Sequence, residues 1–173
     1  ITSEAARVDV HKLRRDNQAI LTGSGTVLKD NPSMTARLPE SSVTPLRVVI
    51  DSNNQITDKD LNVLSADAQT LVINMDNCDS SDNDKVDLKA ALHKLGELGI
   101  NTVLVEAGSG LNGALQQANL IDELVIYTAP VLLGSDASSM MQLPINEMKN
   151  KVKLKITDCR QVGPDMKITA SIE

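Results

Sequence analysis

The 173-residue sequence contains a single aromatic side chain, Tyr127, and neither Phe nor Trp. Its core therefore has to be packed from Val, Ile, Leu, Met and Ala, and the stacking platforms that single-stranded nucleic acid requires are excluded. Basic residues are in the minority, 17 Lys and Arg against 23 Asp and Glu, for a formal net charge of −6. A surface of that sign does not hold a polyanion, so no nucleic-acid partner is expected, although a few local arginines suffice for a small anionic ligand. There are two cysteines, Cys78 and Cys159, in neither CxxC nor metal-ligand spacing, and they read as free thiols of a reducing cytoplasm. His11 and His93 lie on predicted helices without a second ligand four residues on, so no metal site is expected. No apolar run reaches membrane-spanning length and no signal peptide or polybasic anchor is visible, which argues against a membrane partner. The chain opens on Ile1-Thr2-Ser3 without a Met, as a fragment or a cleaved chain would.

What is present patterns as one α/β domain. Thr2 or Ser3 caps a predicted helix running to about Arg15. Short apolar strands are predicted at 19–22, 46–51, 70–74 and 101–106, the last read as buried on both faces. A brief helical turn follows Gly23-Ser24-Gly25 and ends at Asn31-Pro32. Residues 38–46 read as a polar loop, and the acidic run 76–84 reads as a surface loop because Cys78 breaks any calcium-loop pattern. A helix is predicted over 87–98. After a strand at 123–129, period-two alternation over 152–156 and 167–172, with Gly163-Pro164-Asp165 between them, predicts an antiparallel hairpin.

Gly108-Ser109-Gly110-Leu111-Asn112-Gly113 is a G-x-G-x-x-G string between a predicted strand and a predicted helix starting at Leu111. Glycines there permit a sharp turn and close approach to a phosphate, and a helix N-terminus offers free amides. A dinucleotide fold of the doubly wound type also needs an acidic residue ending the next parallel strand. Here that strand runs into Ala129-Pro130, and Asp136 lies in a loop beyond, so a phosphate cradle is expected outside that fold. The competing reading is a tight turn with no ligand.

Six other residues stand out. Arg7, His11 and Arg14 share one helix face and, from spacing alone, read as solvated. Arg37 sits in a loop near the second glycine turn, where a loop arginine and a helix arginine together suit a phosphate. Asp30 reads as a turn-capping residue before Asn31-Pro32. Glu106 ends a strand beside the glycine string, where its carboxylate would face a ligand.

Taken in order, several strings resemble the reductase domain of the bifunctional riboflavin-biosynthesis deaminase/reductase. They are Ile1-Thr2-Ser3 with Ala6-Arg7 and Asp9-Val10, the run 19–28, Asp30-Asn31-Pro32-Ser33-Met34-Thr35-Ala36-Arg37, and the run 45–52. The set continues with 105–114, 122–124, 129–137 and Gly163-Pro164-Asp165. The resemblance implies a dihydrofolate-reductase-like α/β fold: a mixed sheet with flanking helices and a C-terminal antiparallel hairpin. It implies NADPH-dependent reduction of 5-amino-6-(5-phosphoribosylamino)uracil to the ribitylamino product. By matching position, Thr26, Asp30, Ser52 and Gly108, Ser109, Gly110, Leu111, Asn112, Gly113 and Ala114 would contact NADPH. Arg14, Met34, Arg37 and Glu106 would contact the substrate, with the arginines on its phosphate. Glu106 or Asp30 would assist ring opening and proton delivery.

The resemblance further implies a cytoplasmic homodimer, and one reductase domain over residues 1–173. Nothing matches the His/Cys ligands of the family's upstream zinc deaminase domain, so neither zinc nor deaminase activity is expected. The family's first strand, with a Lys and a Ser-Leu-Asp-Gly-like string, would lie upstream of Ile1. A chain starting at Ile1 would lack that strand and be weakened or inactive. The alternatives are a non-catalytic NADP-binding or regulatory module on the same fold, and a pterin reductase of the dihydrofolate-reductase type.

Overall fold

The computed structural model describes residues 1–38, 44–81 and 84–173. Part of the expected polar loop at 38–46 and of the acidic run at 76–84 falls outside those residues. Helix α1, Glu4–Asp16, starts where Ser3 Oγ accepts the Ala6 N–H, and Arg14 and Arg15 complement the dipole at its end. Strand β1, Ala19–Gly23, leads into α2, Ser24–Asp30, and then come β2, Leu46–Ile50, and β3, Thr70–Ile73. Asn31 ends α2 in the left-handed region (φ 41°, ψ 55°) rather than in the extended conformation usual before proline.

The acidic run is not all loop. Its Ser80–Ser81 forms β4, paired antiparallel with β5, Lys85–Val86. Asp87 caps α3, Leu88–Glu97, by accepting the Ala90 N–H, and Gly99 takes a positive φ of 82° just beyond the helix. Strand β6, Val103–Val105, is followed by α4, Ser109–Gln117, and by β7, Glu123–Thr128. The chain closes with β8, Leu154–Val162, and β9, Asp165–Ile172.

Strands β1, β2, β3 and β6 form a parallel sheet in the order β3-β2-β1-β6. One of its faces packs Leu21, Val48, Ile50 and Ile73 against Ala91 and Leu95 of α3. The other packs Ile20 and Val49 against Val27 of α2, Met34, Leu61 and Val63. Apolar β-branched strands covered on both faces are what a parallel sheet requires. Strand β6 is the exception. It lies at the sheet's edge and is half-buried, not buried on both faces as its composition predicts.

The predicted hairpin is longer than its clearest alternation, and it carries a third strand. The β8–β9 ladder turns at Gly163, whose φ is 62°, and β7 pairs antiparallel with the other edge of β9. The sheet order is β7-β9-β8. Helix α1 docks here, since the Ser3 N–H and hydroxyl both donate to Asp165 Oδ2, at 2.8 and 2.7 Å. No helix among the described residues is long and apolar enough to cross a membrane.

Candidate active site

Two glycine turns meet at the carboxyl ends of the neighbouring parallel strands β1 and β6. Gly23 is the N-cap of α2 and Gly108 that of α4, and neither helix has a side-chain cap. A methyl group on Gly23 would lie 3.3 Å from Leu111 Cδ2, and one on Gly108 would lie 3.7 Å from Thr26 Oγ1. The start of α4 therefore packs directly on the β1–α2 junction. Helix α4 begins at Ser109, inside the glycine string and two residues before the expected Leu111. The amides of Ser109, Gly110 and Leu111 find no acceptor among the described residues. Such amides at the positive end of a helix dipole form an anion site.

Gly113 is glycine for a different reason. A Cβ there would sit 2.1 Å from the carbonyl oxygen of Gln142. The backbone near 140–142 crosses α4 at this point, with the Gln142 N–H donating to Ser109 O at 2.9 Å and Asn112 Nδ2 donating to Met140 O at 3.2 Å. Close packing of this strap sets the requirement at Gly113, while Gly108 and Gly110 remain exposed. Ala114 is also exposed, one turn into the helix.

Thr26 and Asp30 lie four residues apart on α2 and so share a face. Asp30 caps nothing. The helix ends through Asn31, whose N–H donates to Val27 O, and the Asp30 carboxylate is exposed with no partner among the described residues. Ser52 follows β2, and its hydroxyl oxygen accepts the Val86 N–H at 3.0 Å, which leaves its proton available.

Arg14 and Glu106, 92 positions apart in sequence, form a two-bond pair. Arg14 Nε donates to Oε1 at 2.7 Å and a terminal nitrogen donates to Oε2 at 2.6 Å. Its other terminal nitrogen donates to Thr35 O at 3.0 Å. This overturns the reading of Arg7, His11 and Arg14 as one solvated face. Arg7 is exposed and pairs with Glu4, whereas Arg14 and His11 turn towards the 31–37 loop. The Arg37 N–H donates to His11 Nδ1 at 3.1 Å, a bond that needs the neutral imidazole. Burial holds the His11 pKa below its ordinary value, and the Arg14 and Arg37 charges act in the same direction against the Thr35 carbonyl and Glu106. The Arg37 side chain itself is exposed and has no partner among the described residues. Met34, within that loop at φ 50°, is 2 % exposed and packs its side chain in the core.

Sequence reading missed a second charged cluster. Asp9 on α1 accepts from Tyr127 Oη at 2.6 Å and from Lys167 Nζ at 2.8 Å. The ammonium lies 5.6 Å from the Tyr127 ring centre. Burial would raise the Asp9 pKa, but the bonds from Lys167 and Tyr127 outweigh it and hold it low. Burial, reinforced by Asp9, pushes the Tyr127 hydroxyl well above its ordinary value. The cluster anchors α1, and with it Arg14, to the antiparallel sheet. Alternation in the sequence points the other way, since it groups Met166 with the apolar Ile168, Ala170 and Ile172, whereas the structure buries Lys167 in β9 and exposes Met166.

A family model described as the RibD C-terminal domain matches residues 1–168. The riboflavin biosynthesis protein RibD of Escherichia coli K12 is 36% identical, over 96% of this chain and 52% of that protein. The protein named 5-amino-6-(5-phosphoribosylamino)uracil reductase from Buchnera aphidicola (Acyrthosiphon pisum) is 32% identical, over 99% of this chain and 94% of that one. Among solved structures, Acinetobacter baumannii RibD superposes with a TM-score of 0.88 at 28% identity, over 100% of this chain and 52% of that one. The chain thus spans about half the length of most of the curated relatives it matches.

Proposed function

This chain belongs to the RibD C-terminal domain family, and on that premise we propose that it uses NADPH to reduce 5-amino-6-(5-phosphoribosylamino)uracil to the ribitylamino product in riboflavin synthesis. The observation that carries the proposal is the uncapped start of α4, in contact with Thr26 and two residues beyond the Arg14–Glu106 pair. A relative of nearly the same extent bears the name of that reductase.

The residues present fit the cofactor. The free amides of Ser109, Gly110 and Leu111 suit a pyrophosphate, and exposed Gly108 and Gly110 allow close approach. Thr26 and Asp30 on one face of α2, and Ser52 at the end of β2, would complete its contacts. When bound, NADPH supplies the hydride.

The rest falls to the chain. Arg37, the arginine whose guanidinium has no partner among the described residues, would hold the substrate phosphate. Arg14 is occupied by Glu106 and Thr35, so it orders the site first and meets substrate through its remaining protons. Both Glu106 oxygens accept from Arg14, whereas Asp30 has no partner among the described residues, which favours Asp30 for moving a proton. Two copies would associate through apolar side chains exposed at Val131, Leu132, Leu133, Met140 and Met148 and along β8 at Leu154 and Ile156. Free Cys78 and Cys159 suit a reducing cytoplasm.

The test compares NADPH consumption with the phosphorylated substrate and with its dephosphorylated form. Turnover is expected with the first, and Arg37→Ala is expected to raise its KM about tenfold or more, as loss of a charge-assisted contact does. Equal use of both forms by the unaltered chain would contradict the proposed role of Arg37.

A further inference from the structure

Arg47, the second residue of β2, is fully buried between β1 and β3, and among the described residues it forms no ion pair. Its Nε donates to Thr70 Oγ1 at 2.9 Å. One terminal nitrogen donates to Ser33 O at 3.3 Å, Asn62 O at 3.2 Å and Ser65 Oγ at 3.2 Å. The other donates to Ser65 O at 2.5 Å and to Ala68 O. A desolvated guanidinium is tolerated only when its protons are all engaged. Packing alone does not call for one, because apolar replacements of buried ionic groups are often neutral or stabilising. Neighbouring Val48 and Val49 fill the same sheet with apolar side chains.

Apart from Thr70 in β3, the oxygens it gathers come from two segments that are separate in sequence, Ser33 and the 62–68 turn. The same two segments are joined a second time. Asn31 Oδ1 accepts the Asn62 N–H, and Asn62 Nδ2 donates to Asn31 O, both at 2.8 Å. Beyond Ser33 come Met34, held at φ 50°, then Thr35, which receives Arg14, and then Arg37. We infer that Arg47 is a positioning residue for the substrate loop: by holding the Ser33 carbonyl against the 62–68 turn, it fixes the backbone from which Thr35 meets Arg14 and Arg37 projects. The inference rests on the proposed function for its consequence, and on the loop geometry for its cause.

Lysine offers a point charge with three donors and cannot span this fan of oxygens. Arg47→Lys is therefore expected to raise the substrate KM by roughly tenfold to a hundredfold, the effect of a displaced binding group, with kcat and NADPH affinity close to the unaltered chain. Amide hydrogen exchange over 33–37 should quicken while that of α4 stays unchanged. Thr70→Val keeps the arginine but removes its Nε acceptor, and it carries the test if Arg47→Lys does not fold, with a smaller KM rise and the same exchange pattern. An unchanged KM with unchanged loop exchange overturns the inference. So does a parallel loss of kcat, NADPH affinity and α4 protection, which would mark general loosening. If the unaltered chain consumes no NADPH, the proposed function falls, and the exchange pattern alone decides whether Arg47 positions the loop.

Discussion

Helices α1 and α3 begin on side chains that cap them, whereas α2 and α4 begin on glycines that cap nothing. Ser3 Oγ accepts the Ala6 N–H and Asp87 Oδ1 accepts the Ala90 N–H, but Gly23 and Gly108 leave the first amides of their helices without a side-chain acceptor. A cap contributes about 1 kcal/mol, so its omission has a cost in stability. The capped starts serve architecture: Ser3 also ties α1 to the β8–β9 turn through Asp165. The uncapped starts are the two that touch each other, at the edge where Thr26 faces Gly108. Helix α4, of nine residues, is the longer of the two and presents its amides beside Glu106. Under the proposed function, stability is forgone where the cofactor would supply the missing acceptor.

The contrast breaks most severely at Gly113. Gly113→Ala places a methyl 2.1 Å from the Gln142 carbonyl, so the strap over α4 has to move. Thermal unfolding should show a loss of about 2–3 kcal/mol, within the range for overpacking, together with weaker NADPH binding. Gly108→Asp gives α4 the cap it lacks, in a position with room for a side chain. Calorimetric titration should then show NADPH affinity falling by about 2 kcal/mol, as a carboxylate occupies the amides and repels the pyrophosphate, while the unliganded protein gains stability. Asp87→Ala performs the opposite operation on α3. It should cost about 1 kcal/mol in denaturant unfolding and leave NADPH affinity unchanged.

The smallest effect is a pH slope on α1. Because the His11 pKa is lowered in the folded protein, the unfolded chain binds the proton first as pH falls below the ordinary value of 6.5. Stability should decline from there down to the folded-state value and then level off. His11→Asn keeps an acceptor near the Nδ1 position without a titrating proton, and the difference between the two stability curves should isolate that slope.

Local structure was legible where chemistry is local. Ser3 before an amphipathic run, helical periodicity over 87–98, alternation on either side of Gly163-Pro164, and glycines between a strand and a helix are each signals confined to a few residues. The start of α4 was misplaced by two residues because Gly108 itself is the cap, which propensity does not reveal. The half-buried state of β6 follows from its place at the sheet's edge, a property of strand order rather than of composition. The site's charges were harder to read. Arg14 and Glu106 were each candidates, but their pairing spans 92 positions and depends on how α1 docks. His11 was assigned to a solvated face because spacing shows which residues share a face, not what that face meets. Arg47 drew no reading from sequence, because its fan of oxygens comes largely from turns that only the folded chain brings together.

The most direct measurement follows NADPH and pyrimidine together: the purified chain is given 5-amino-6-(5-phosphoribosylamino)uracil, and the NADPH consumed is compared with the ribitylamino product formed. One equivalent of product for each NADPH oxidised is the expected result, abolished or strongly slowed in Gly108→Asp. NADPH that binds at α4 but is never consumed with this substrate would contradict the reductase assignment and leave a binding module in its place.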